Sequence, residues 1–170
     1  MSRVLVTGGT SPLGEALVRR LLRDPAYDVR VADPRPAPLW MREGCEIDPG
    51  DVRDPERARR AVEGCAFVVQ LAPGADAPFT ALEATAALVR AALDAGVGRF
   101  VHVAGAGSEP VGEAVCRAAA AQHGLPFMLC RVAGEHGDQP PAADRAADAI
   151  VAALASPGTL GGVVELDGMC

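Results

Sequence analysis

Short apolar runs alternate with stretches of helical period from one end of the chain to the other. The runs VLVT (4–7), DVRVAD (28–33), CEID (45–48), FVVQLA (67–72), RFVHVA (99–104), PFMLCRV (126–132) and GVVEL (162–166) predict strands. Between them, Leu13, Leu17 and Leu21 recur at every fourth position and predict a helix over 12–23. Leu82, Ala86, Val89 and Leu93 predict a second over 79–95, and Ala146, Ile150 and Leu154 a third over 142–155. Shorter helices fit 55–63 and 109–123. Most of the strands are apolar almost throughout, as a parallel sheet covered on both faces by helices requires. The alternation therefore predicts an α/β fold, a doubly wound parallel sheet of the Rossmann-like kind with about seven strands. No internal repeat or long linker divides the chain, so a single domain over 1–170 is expected. The proline-rich pieces PRPAPLW (34–40) and GDQPPA (137–142) read as surface loops at one end of the sheet, the second with a lid as its alternative.

Composition narrows the partners. Hydrophobic residues make up 49% of the chain, which excludes disorder, and the formal charge of −6 argues against nucleic acid or an anionic membrane surface. No apolar run is long enough to cross a bilayer, and MSRVLVTGG reads as a strand start rather than a leader. The five cysteines (Cys45, Cys65, Cys116, Cys130, Cys170) show no paired spacing, as expected of reduced, mostly buried thiols in a cytoplasmic protein. All 16 basic residues are arginine; there is no lysine and no asparagine, and Tyr27 is the single tyrosine. Chemistry that needs an amine side chain has none to draw on.

TGGTSPLG (7–14) lies between the first strand and the first helix, where an open α/β sheet holds a pyrophosphate against glycines and a helix N-terminus. Gly8, Gly9 and Gly14 fill the turn and the close helix–strand contact. Ser11 suits the N-cap and Pro12 the first helical position. Pro12 has no N–H to offer a phosphate, which leaves the N–H groups of Leu13 and Gly14 and the hydroxyls of Thr10 and Ser11. Asp33 ends the second strand about twenty residues beyond the loop, where a carboxylate accepts from ribose hydroxyls. A 2′-phosphate there would meet repulsion of up to about 4 kcal/mol per charge pair. Arg35 would offset part of it. NAD is therefore expected over NADP, with a helix cap that holds no ligand as the bland alternative.

These residues resemble the short-chain dehydrogenase/reductase superfamily, in its extended or atypical branch of NAD-dependent epimerases and dehydratases. VLVTGGTSPLG resembles that branch's glycine-rich start with Ser11 in place of the middle glycine, and DVRVADPRP its ribose-binding strand end. GDVRDPERARRAVEGCAFVVQLAP (50–73) resembles the stretch that lines the adenine and the middle of the cofactor. By that likeness Asp51 and Val52 line the adenine pocket, and Leu71, Ala72 and Pro73 the cofactor's middle. LVRAALDAGVGRFVHVAG (88–105) and GLPFMLCRVAGEHG (124–137) resemble the later strands and loops, with His136 where the family usually has a tyrosine. The family's Tyr and Lys, counted back from GLPFMLCR, fall at Pro110 and Ala114, and its Ser near Ala106, so the usual dyad is missing. The family's larger members also carry a substrate part that is much reduced here. Loops 74–80, 105–112 and 133–142 would form what pocket there is.

His136 and Ser108 are the remaining catalytic candidates, His136 because it titrates near neutrality. A solvated loop histidine, and a helix cap made by Ser108 or Glu109, are the structural alternatives. His102, Cys116 and Cys130 read as core residues, Arg131 as a partner for a phosphate, a carboxylate or a helix acid, and no metal-ligand spacing is present. The chain thus reads as an NAD(P)-binding oxidoreductase or epimerase/isomerase with a non-standard site, acting on a small molecule. The alternatives are a non-catalytic nucleotide sensor or scaffold and a cofactor-independent cyclase or isomerase. By resemblance, a homodimer would form through helices 79–95 and 109–123.

Overall fold

The computed structural model describes residues 1–71, 78–105, 110–132, 140–156 and 162–166. The strands are β1 (Ser2–Thr7), β2 (Tyr27–Ala32), β3 (Glu46–Asp48), β4 (Phe67–Leu71), β5 (Arg99–Ala104), β6 (Phe127–Val132) and β7 (Gly162–Leu166). The helices are α1 (Pro12–Leu22), α2 (Leu39–Gly44), α3 (Pro55–Val62), α4 (Pro78–Ala95), α5 (Pro110–His123) and α6 (Pro140–Ala155). The strands form one seven-stranded parallel sheet in the order β3-β2-β1-β4-β5-β6-β7. The order reverses between β1 and β4, and that switch point opens a crevice at the carboxyl ends of the strands.

Successive strand residues serve opposite cores. Val4 and Val6 of β1 pack with Leu17, Val18 and Leu21 of α1 and Ile150 and Leu154 of α6. Leu5 between them packs on the other face with Ala58 and Val62 of α3, Leu88 of α4 and Cys116 of α5. This double covering is why the strands read as continuous apolar runs. Cys65, Cys116 and Cys130 are buried, Cys45 is half-buried, and all four are free thiols; Cys170 lies outside the described residues.

Three expectations need correction. Residues 39–40, expected in a loop, instead begin α2. Pro38 stands at its N-cap, Met41 is fully buried, and the Arg19 guanidinium of α1 lies 3.7 Å from the Trp40 ring centroid. A residue anchoring one short helix leaves no periodic signal. Residues 140–142, expected in a loop or lid, belong to the start of α6, where prolines lose no helical hydrogen bond. On α4 the buried stripe is Ala84, Thr85, Leu88, Ala91 and Ala92 with Val89, whereas Ala86 is exposed. In an alanine-rich helix, alanine marks both faces alike, so of the Leu82-Ala86-Val89-Leu93 pattern Val89 is buried and Leu93 packs against the core, while Ala86 misses it.

Candidate functional site

The crevice is built first by the turn from β1 into α1. Ser11 adopts extended backbone (φ −75°, ψ 160°), and its Oγ accepts from Gly14 N–H at 3.0 Å while donating to Gly8 O at 2.8 Å. With Pro12 next, the helix start is specified as a cap followed by proline; Asp54 and Pro55 repeat the device at α3. Gly8 turns with φ +72°, the left-handed region that favours glycine, and its N–H donates to Ala32 O at the end of β2. The loop is thereby tied to both flanking elements.

The polar groups expected to meet phosphate are mostly engaged inside the loop. The Thr10 hydroxyl and N–H donate to Asp33 Oδ2 at 2.8 and 3.1 Å, and the Ser11 hydroxyl and Gly14 N–H form the cap. In this conformation the donors of Thr10, Ser11 and Gly14 are thus held by the chain's own acceptors. Among the described residues, only Gly9 and Leu13 of this loop leave an N–H without an acceptor. Leu13 N–H sits in the first turn of α1, where the helix dipole favours an anion.

Asp33 follows β2 directly, and its N–H donates to Asp48 O at 3.2 Å, which holds the end of β3 beside it. Its carboxylate is 3% exposed and accepts five hydrogen bonds. Two come from Thr10, one from Arg35 N–H at 3.0 Å, and two from the Arg35 guanidinium at 3.1 Å each. Burial alone would raise its pKa, but the bonds from Arg35 and Thr10 outweigh it and hold the carboxyl below its ordinary range.

On the same side, the Asp51 carboxylate is tied to Arg53 through Nε at 2.8 Å and Nη2 at 2.5 Å. Val52 is half-buried against the α3/α4 core, and Leu71 closes β4 next to the loop, where a Cβ added to Gly8 would meet its carbonyl oxygen at 3.2 Å and its Cβ at 3.3 Å. Ala72, Pro73, Ala106, Ser108, Glu109 and His136 lie outside the described residues. Pro110 opens α5, and Ala114 is exposed on it. Glu113, between them, is gripped by Arg131 of β6 and Arg117, each at 2.7 Å; Arg131 first and then Arg117 hold its carboxyl low against burial. So of the partners open to Arg131, a helix acid is one it takes.

Beneath the β4/β5 side of the crevice lies a buried polar chain. Thr85 Oγ1 donates to Ala81 O at 2.8 Å and accepts from Gln70 Nε2 at 2.9 Å, which leaves Gln70 Oε1 to accept from His102 Nδ1–H at 3.0 Å. The other ring nitrogen faces Gly112 in the first turn of α5, where an added Cβ would come within 3.0 Å. His102 is thus a packed core residue, and burial pushes its pKa down to about 4 from the ordinary 6.5, against a small opposing pull from Glu113. Between those values the unfolded chain takes up a proton that the folded ring refuses, so stability falls as pH drops through the window. The loss at pH 4 should be about 3 kcal/mol in urea titrations, and His102→Gln should remove most of that slope. Equal slopes in the two proteins between pH 6.5 and 4 would refute the assignment.

The model of the NAD(P)H-binding family matches residues 8–125, from the glycine turn to the residues just before β6. The chain belongs to that family. No curated protein matches it in sequence. Among solved structures, a dTDP-glucose 4,6-dehydratase from Streptomyces venezuelae, crystallised with NAD and TYD, is similar at TM-score 0.82 and 23% identity, over 99% of this chain and 76% of that one. A nucleoside-diphosphate-sugar epimerase from Staphylococcus aureus gives 0.81 and 17%, over 99% and 72%. Vestitone reductase from alfalfa (Medicago sativa) gives 0.80 and 16%, over 99% and 77%. These likenesses show the fold, the one expected from the alternation of strands and helices.

In this NAD(P)H-binding chain the matched span contains the glycine turn, Asp33, Asp51, Val52 and Leu71, and it stops before Arg131 and His136. Sequence reasoning missed the Gln70–Thr85 pair; the one signal available was a glutamine inside an apolar strand, since such a group must find a partner when buried. Among the described residues, no helix is long and apolar enough to cross a membrane, and no three His, Cys, Asp or Glu side chains gather as metal ligands.

Proposed function

We propose that this chain binds NAD(H) across the β1/β4 crevice and acts on a small molecule as an atypical oxidoreductase or epimerase-like enzyme. The observation that carries the reading is the unengaged Leu13 N–H at the start of α1, in a turn that Thr10 ties to the Asp33 carboxylate at the end of β2. Leu13, with Gly9, would hold the pyrophosphate, Asp33 the adenosine ribose, and Asp51 and Val52 the adenine. Leu71, Ala72 and Pro73 would line the middle. The close contact of α1 on the turn fits such a ligand, because a Cβ on Gly14 would fall 2.4 Å from Gly8 O and close the approach. A bound nicotinamide dinucleotide supplies hydride transfer. The chain has no lysine to assist, so His136 and Ser108 are the groups proposed to move the proton and hold the substrate oxygen. Neighbours of this fold whose names cite sugar nucleotides make those compounds, with small carbonyl or conjugated acceptors, the substrates to try first. We place the protein in the cytoplasm and assign it a homodimer through α4 and α5.

Calorimetry with NAD, NADH, NADP and NADPH is the test. NADH should bind, and Asp33→Asn should weaken it about tenfold through loss of charge-assisted hydrogen bonds. No heat of binding for any of the four at millimolar concentration would end the proposal. A nucleotide sensor without turnover is the second reading, favoured by the missing lysine. Loss of a measured turnover on His136→Ala, in a variant that stays folded, would decide against it.

A further inference from the structure

Of the four phenylalanines, Phe100 and Phe127 are buried and Phe67 packs half-buried against the core, whereas Phe79 stands 81% exposed in the first turn of α4. A single exposed apolar side chain needs no explanation. The place of this one supplies a use for it. Glu83 lies one turn further along α4 on the same stripe, since residues four apart share a face. The Glu83 carboxylate meets the Arg53 guanidinium at 3.8 Å, and Arg53 in turn holds Asp51 through its N–H at 3.0 Å and its Nε at 2.8 Å. The stripe therefore runs beside the 51–53 loop, while Thr85 and Leu88 face the sheet. Phe79 is one turn nearer the start of α4 than Glu83, and so nearer the carboxyl ends of the strands, where the crevice opens.

We propose that Phe79 is an adenine platform: its ring stacks on one face of the base while Val52 meets the other. Resting on the dinucleotide reading above, this goes beyond it by giving the adenosine half a binding residue on a helix outside the strand-end loops. Adenine is a flat π-system with two faces to take out of water, and stacking on an aromatic ring serves it well. Val52 is half-buried against the α3/α4 core and offers its apolar side chain to one face only. The second face needs a group that lies flat and is not already packed elsewhere. Phe79 has most of its apolar area in water and two torsions to fix, so covering it gains burial at little entropic cost. Arg53 joins the two walls, because Asp51 holds it from the loop and Glu83 from α4. The spacing of loop and helix is thus set before a base arrives.

Calorimetry on the full chain with NADH and with 5′-AMP tests the platform in the parent, Phe79→Ala, Phe79→Leu and Phe79→Trp. Phe79→Ala should weaken both ligands by the same factor, about tenfold, because the lost contact lies wholly in the adenosine half they share. Phe79→Leu should recover only part of that loss, and Phe79→Trp should bind both ligands at least as tightly as the parent. An exposed ring contributes little to folding, so urea midpoints should not move. A loss confined to NADH, a change below about twofold for both ligands, full recovery by leucine, or no 5′-AMP binding to a parent that binds NADH would overturn the platform and leave the dinucleotide reading standing. A change of oligomeric state in Phe79→Ala, with 5′-AMP affinity intact, would assign the ring to a contact between copies instead. Dinucleotide binding absent from the parent overturns both.

Discussion

Gly14→Val is expected to destabilise the protein by about 4 kcal/mol and to abolish dinucleotide binding. A Cβ at this position would lie 2.4 Å from Gly8 O and 2.6 Å from both the carbonyl carbon and the Cα of Gly9. All three are backbone atoms, so no side chain can rotate to make room. The turn cannot retreat either. Gly8 is held to Ala32 O by its N–H and occupies a conformation a longer residue rarely adopts, and Gly14 N–H is fixed by the Ser11 cap. Relief would come only by lifting α1 off the sheet, which would pull Leu17, Val18 and Leu21 from the core they share with β1 and α6. Urea unfolding at neutral pH reads the loss directly. A variant within about 1 kcal/mol of the parent would mean that the helix–turn contact is looser than these distances state.

That contact was legible in the sequence, and what was not legible follows a physical division. A glycine at position 14 and a serine–proline pair at 11–12 are local requirements of one turn, so they appear as residue types at fixed offsets. The bounds of β5 match the apolar run 99–104 for the same reason: a strand covered on both faces has to be apolar along its length. Asp33, too, was found by its place at a strand end. The partners of these residues are another matter. Thr10 and Arg35 close on Asp33 from two different loops, and Glu113 meets Arg131 across a helix and a strand; such pairs are set by tertiary distance, for which one sequence holds no signal. The α4 pattern missed at Ala86 for an energetic reason, since burying or exposing an alanine changes the free energy too little to bias composition between faces. The effect is that the frame of the crevice was readable and its occupancy by the chain's own groups was not.

The same division explains a chain whose basic residues are all arginine. Arg30 is 8% exposed in the middle of β2, and its Nη1 donates to the carbonyls of Arg60 at 3.2 Å and of Ala61 and Glu63 at 2.8 Å, at the carboxyl end of α3. Its Nη2 reaches Glu46 of β3 at 3.2 Å. One planar fork thus satisfies the orphan carbonyls of a helix end, complements its dipole and ties β2 to β3. Arg99 repeats the device at the end of α6, donating to the carbonyls of Ala153 and Leu154. Arg30→Met keeps the apolar stem and removes the donors, which leaves Glu63 O without its side-chain donor, Ala61 O with only the weak Cys65 thiol, Arg60 O with Glu63 N–H, and Glu46, half exposed, with Arg3 alone. The expected cost is about 3–4 kcal/mol, with Arg30→Lys recovering only part, because an ammonium cannot span the α3 carbonyls and Glu46 together. Asp33 lies three residues along the same chain segment, so loosening β2 against α3 and β3 should also weaken NADH binding in a variant that remains folded. Chemical denaturation of the three proteins, paired with NADH titration, checks both halves. Equal stability of parent and Arg30→Met would show that the α3 carbonyls find water instead, and the link from this buried cap to the ribose end of the crevice would fall with it.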